Sequence, residues 1–152
     1  MNVSRKTARV RGVTLAELLT ALVVVAVLGA VALPMFRNHL LRVQRADAVD
    51  ALIAVQSGQD SYFGRNARYA DGSQLSAASP AGLGLADRSK RGYYILELRS
   101  GADGLGYIVT ARPAPQRGQS EDSRCVEFSL DQNGRRRALD SAGSDRSADC
   151  WH

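Results

Sequence analysis

The sequence predicts an α+β fold: one long N-terminal helix packed on a small antiparallel sheet of three to four strands, with a disulfide-closed C-terminal loop. Three observations carry this expectation. Residues 18–36, LLTALVVVAVLGAVALPMF, hold no formal charge, and helical periodicity continues beyond them to about residue 63. Three apolar, β-branched or aromatic runs follow, bounded by Gly- and Asp-rich turns. Cys125 and Cys150, the two cysteines, both lie at the end remote from the apolar run. A length of 152 residues allows one small domain plus an anchor.

The N-terminal element begins with a basic segment. The formal net charge is +5, but residues 1–12 hold Arg5, Lys6, Arg9 and Arg11 with no acid, and the remaining chain balances to +1. The sequence pI of about 9.7 therefore belongs largely to that segment and does not point to nucleic acid. Residues 18–36 would span roughly 28 Å as a helix, close to the thickness of a hydrocarbon core. Basic residues ahead of the span favour a cytoplasmic N-terminus. A plain single-span anchor is one reading. A secretory signal cleaved after Ala32, at the "AVA" of Ala30–Ala32, is another. Both leave Glu17 unexplained, because a carboxylate entering hydrocarbon is costly without a partner and marks a functional position by default.

"RG" followed by "VTLAEL" at residues 11–18 resembles the prepilin cleavage motif of type IV pilins and type II secretion pseudopilins. The resemblance implies cleavage after Gly12 by a membrane peptidase, methylation of the new N-terminus at Val13, and an assembly role for Glu17, the fifth mature residue. The family usually has Phe where Val13 stands. Glu17 would neutralise the Val13 amine of a neighbouring subunit, and pairing within one chain is also geometrically open, since the two are four residues apart. Pro34, the twenty-second mature residue, is typical of type IV pilins. With Gly29 it brackets the segment expected to bend or unwind on assembly, although Gly29 alone reads equally as a small residue easing helix packing. The expected organisation is a cleaved leader over 1–12, a transmembrane and assembly helix over 13–36, and a periplasmic globular domain over 37–152.

Pro34 removes one helical hydrogen bond and bends rather than ends a transmembrane helix. Beyond it the apolar positions form two stripes, Leu41, Ala48, Leu52 and Val55, then Ala46, Val49 and Ile53, with Asp47 and Asp50 expected on the opposite, polar side. A continuous helix over 14–63 would be about 75 Å long, more than a small domain needs and suited to a filament core. Residues 64–92, rich in Gly, Ser and Ala, read as a long connection with little regular structure. Strands are expected from Tyr93 (YYILEL), Leu105 (LGYIVTA) and Cys125 (CVEFSL), with a short fourth at RRRAL. SGADG and DQNG are hairpin signals between and after them. Cys125 and Cys150 read as a disulfide in an exported domain, closing about 26 residues and contributing roughly 3–4 kcal/mol by chain entropy. Their spacing matches no usual zinc pattern. YFGRNARYA, LDQNGRRRA and the final Cys150–Trp151 pair resemble segments of PilE-type minor pilins, so the likeness extends over most of the chain.

No catalytic constellation rises above background. His39 and His152 have no acid or nucleophile partner in sequence, and the Gly-rich stretches at Gly82 and Gly101 lack the spacing of a nucleotide loop. No metal or cofactor is expected. Some PilE-like pilins bind DNA, and Arg135, Arg136 and Arg137 are the candidate contacts. As a strand, however, they alternate faces, and residues 112–146 balance to only +1, short of a phosphate-tracking surface. Tyr93, Tyr94, Tyr107 and Trp151 could stack on bases, or serve as core aromatics.

The resemblance thus implies a minor subunit of a type IV pilus, supporting assembly and related motility, adhesion or DNA uptake. Its partners would be other pilin and minor pilin subunits, the prepilin peptidase, the pilus assembly platform and the inner membrane, with DNA as a further possibility. It would stand in the inner membrane before assembly and in the extracellular fibre afterwards. A DNA-binding competence pilin and a secretion pseudopilin are the alternatives.

Overall fold

A computed structural model describes residues 14–115 and 118–151. Gly12, Val13, Arg117 and His152 lie outside the described residues. Helix α1 runs over Leu15–Asn66 with Pro34 inside it, as expected of a proline that does not terminate the helix. Cα packing divides the chain between Asn38 and His39.

In the first unit α1 starts from Thr14, whose hydroxyl accepts the Glu17 N–H at 3.2 Å, the arrangement of a side-chain N-cap. From Leu15 to Phe36 every large apolar side chain is more than half exposed, and Glu17 is exposed among them. The helix is long and apolar enough to cross a membrane.

The second unit pairs the rest of α1 with a four-stranded antiparallel sheet in the order β1-β2-β3-β4: Tyr94–Ser100, Tyr107–Pro113, Glu127–Asp131 and Arg136–Leu139. All four expected strands form, with starts one or two residues later than read from sequence. The turn after β3 places Gly134 at φ +73°, a conformation that favours glycine. Period-two alternation sends Tyr94, Leu96 and Leu98, then Tyr107, Val109 and Ala111, then Phe128 and Leu130, into one core with Ala48, Leu52 and Val55 of α1. The first apolar stripe of α1 is therefore the packing face, with Leu41 at its margin. The second is not: Ala46 and Ile53 are exposed and Val49 half-buried.

Asp47 corrects the expected polar face. It is buried, because its carboxylate accepts the Arg91 and Tyr93 backbone N–H groups at 3.1 and 3.4 Å, whereas Asp50 is exposed as expected. Residues 64–92 carry little regular structure, as read, but they are tied down. Gln59, fully buried, exchanges two hydrogen bonds with the Ala70 backbone, 2.9 and 2.8 Å. A short 3-10 turn at Gly72–Gln74 is closed by a capping box between Asp71 and Gln74.

Both sheet edges are occupied. Beside β1, the Ser89 N–H donates to the Tyr94 carbonyl and the Leu96 N–H to the Asp87 carbonyl. Beside β4 lies the C-terminal tail, including the four-residue helix α2 (Ser147–Cys150). The Ala138 N–H donates to the Ser147 hydroxyl, and the Arg146 N–H to the Ala138 carbonyl. The Cys125–Cys150 disulfide fastens that tail.

Candidate functional site

Among the described residues no cluster of His, Cys, Asp and Glu could hold a metal. Three features bear on function instead: the exposed apolar helix carrying Glu17, the cationic surfaces, and a buried ion pair that fixes the loop ahead of β3.

The arginine run is largely engaged. The Arg136 guanidinium lies 5.3 Å from the centroid of the Trp151 ring, a cation–π distance. Arg137 approaches Asp145 at 3.9 Å, and its carbonyl accepts the Trp151 indole N–H at 2.9 Å. Arg135 is exposed at the mouth of the β3–β4 turn, where its backbone N–H donates to Asp131. Arg135 and Arg137 both act on the Asp145 carboxylate while Arg136 turns to Trp151, in keeping with strand alternation. Tyr94 and Tyr107 are core residues rather than stacking platforms, and Trp151 packs edge-on against Phe128 at 5.9 Å. On the outer sheet face Arg112 is held by Glu97 and Glu127, and Arg99 by Glu97.

Sequence reasoning missed the buried pair. Arg45 places Nε 2.7 Å and Nη2 2.9 Å from the two Asp122 oxygens, a two-pronged contact across 77 residues of sequence. Gln119 and the Arg124 N–H complete the shell of Asp122, which is 2 % exposed. This locks the stretch from Gln119 to Arg124, ahead of β3, to α1. Nothing local in the sequence announces it.

A second omission is a cleft of about 650 Å³ between α1 and the Leu85–Arg91 segment. Arg88, Lys90 and Arg91 line one wall, Asp47 and Asp50 the other, over an apolar floor that includes Ala54 and Val55. Three cations in the four residues RSKR were visible in the sequence, overshadowed by the unbroken run at Arg135.

Electrostatics follow burial and hydrogen bonding. Burial, reinforced by the Asp122 carboxylate, raises the Tyr94 phenol well above its usual range, and burial pushes Tyr107 up to about 12. The Ser144 N–H and the Arg146 guanidinium hold Asp140 below the ordinary carboxylate value, and the Ser147 hydroxyl does the same for Asp145.

The family described as "Type IV minor pilin ComP, DNA uptake sequence receptor" matches residues 34–129, more than half of the chain. The chain belongs to this type IV minor pilin family. That is a structural pilin family, not an enzyme family. Two relatives agree with it. The type IV major pilin PilA of Myxococcus xanthus (strain DK1622) is 37% identical over 71 residues, 47% of this chain and 32% of that protein. The match thus spans about a third of the relative's length. A high-resolution structure of a type IV pilin from Shewanella oneidensis aligns with TM-score 0.50 and 25% identity, over 74% of this chain and 98% of that one. The minor-pilin match contains the Arg45–Asp122 pair and the cleft, but ends before Arg135, Cys150 and Trp151.

Proposed function

We propose that this minor pilin is made as a precursor, cut after Gly12, methylated at Val13 and assembled into a type IV pilus through α1. The observation that supports this reading best is the state of α1 itself. Its first half leaves an uninterrupted apolar surface exposed, and within it Glu17 is the one acidic residue. Such a surface needs lipid or neighbouring helices, and such a carboxylate needs a cation. The new amine at Val13 supplies one, either in the same chain or in the next subunit. Before assembly the helix holds the protein in the inner membrane, with the globular unit on the periplasmic side. The prepilin peptidase, the assembly platform and other pilins are the partners this path requires. The intact mass and first residue of protein taken from membranes test it. A methylated Val13 is the expected result; a start at Leu33, or an intact Met1, rules it out.

A role in DNA uptake is the second reading, favoured by the description of the matching family as a DNA uptake sequence receptor. Arg135, Arg136 and Arg137, all exposed, are the sequence-derived contacts. The expected result is retention of duplex DNA that weakens steeply with salt and drops when Arg135–Arg137 are neutralised. Absence of retention at low salt rules this reading out.

A further inference from the structure

We propose that the cleft between α1 and the Leu85–Arg91 segment docks an extended, acidic peptide segment of a partner protein. Its cations are available: Arg88, Lys90 and Arg91 have no carboxylate within ion-pair distance among the described residues. Arg45, Arg99, Arg112, Arg137 and Arg146 are all paired by contrast. The cleft volume of about 650 Å³ lies inside the roughly 300–1,000 Å³ range of ligand sites, and the floor of alanine, valine and leucine suits an apolar side chain.

The backbone adds a second, independent feature. Arg88 stands opposite Ile95 at the edge of the sheet. Its neighbours, Asp87 and Ser89, turn a carbonyl and an N–H towards β1. By antiparallel alternation the Arg88 N–H and carbonyl face away from β1. Among the described residues neither has a hydrogen-bond partner. An added extended strand uses such a donor–acceptor pair, while side chains at alternate positions enter adjoining pockets.

Charge on the opposite wall selects a peptide over a polyanion. Asp47 is buried with its carboxylate bound to two backbone N–H groups, but Asp50 is exposed beside it, so a phosphate chain in the cleft would face the Asp50 carboxylate. A peptide can instead turn its acidic side chains to the loop wall and an N–H towards Asp50. The cleft includes neither Glu17 nor the arginine run at Arg135–Arg137.

The test uses the full chain in detergent micelles and fluorescence anisotropy with a short labelled peptide of alternating Val and Glu. The same peptide with Lys for Glu, and a duplex DNA, are the comparison probes. The Val/Glu peptide is expected to bind and the Val/Lys peptide not. Charge reversal at R88E/K90E/R91E, and filling of the floor by Ala54→Phe, should each weaken binding about tenfold or more with thermal unfolding unchanged. If the triple reversal disturbs folding, Lys90→Ala alone should still give a smaller drop. Failure of the Val/Glu peptide to bind, or full binding by Ala54→Phe, overturns the proposal. Displacement of the peptide by duplex DNA, with the DNA sensitive to charge reversal and indifferent to Ala54→Phe, also overturns it and assigns the cations to nucleic acid.

Discussion

Arg45 and Asp122 show how much one residue pair can decide. Each loses most of its water, and their mutual attraction offsets that loss only because the contact is two-pronged and Gln119 and Arg124 satisfy the remaining oxygen capacity. Removing one partner strands the other. Asp122→Ala should therefore lower unfolding free energy by about 3–5 kcal/mol in urea titration. Replacing both residues by apolar ones of similar size should restore much of that loss. Two buried phenols make a prediction of opposite pH sense from the usual acid transition. Tyr94 and Tyr107 bind their protons more tightly in the folded chain, by burial, and neither hydroxyl has a hydrogen-bond partner among the described residues. The resulting stability is complete below the ordinary phenol value near 10 and is lost as pH rises towards about 12. Alkaline unfolding followed by absorbance should show this decline, and Tyr94→Phe with Tyr107→Phe should flatten it. At this scale the sequence was least legible. Ala48, Leu52 and Val55 declared themselves by spacing. Arg45, Asp47 and Gln59 could not, because periodicity assigns polar residues to water, and their partners lie in distant or irregular segments. Ile53, apolar and in a plausible stripe, is exposed because the sheet covers only one side of the helix.

Elements were more legible, because their signals are local. Alternation placed the strands, DQNG placed the last turn, and the uninterrupted helical pattern carried α1 through Pro34. Covering of the sheet edges was not visible, since it depends on where the tail and the Asp87–Ser89 segment return in space. The Cys125–Cys150 crosslink makes the tail testable as a unit. Reduction should cost roughly 3–4 kcal/mol, the chain-entropy value for a closed loop of about this length. Hydrogen exchange should localise the change, with faster exchange at the Ala138 and Arg146 amides, which donate across the β4 edge to the Ser147 hydroxyl and the Ala138 carbonyl. Unchanged protection there would mean that the tail holds its place without the crosslink.

On the scale of the whole molecule, a well-packed sheet unit and an exposed apolar helix share one continuous element, α1. Glu17→Gln preserves size and removes the charge. On the proposed assembly path the variant should still be cut after Gly12 and remain in membranes. Its amount in sheared filaments should fall by about tenfold or more, as expected when the buried ammonium of a neighbour loses its counter-charge. Equal incorporation of the variant would remove Glu17 from that path.

Trp151 has a practical consequence. It is the single tryptophan of the chain, seated against Phe128 and Arg136 with its indole N–H bonded to the Arg137 carbonyl. Intrinsic emission excited at the indole band is therefore a label-free optical gauge of one event, the docking of the tail. A red shift on adding reductant, at a temperature where the circular dichroism of α1 is unchanged, would separate tail release from global unfolding in a single cuvette.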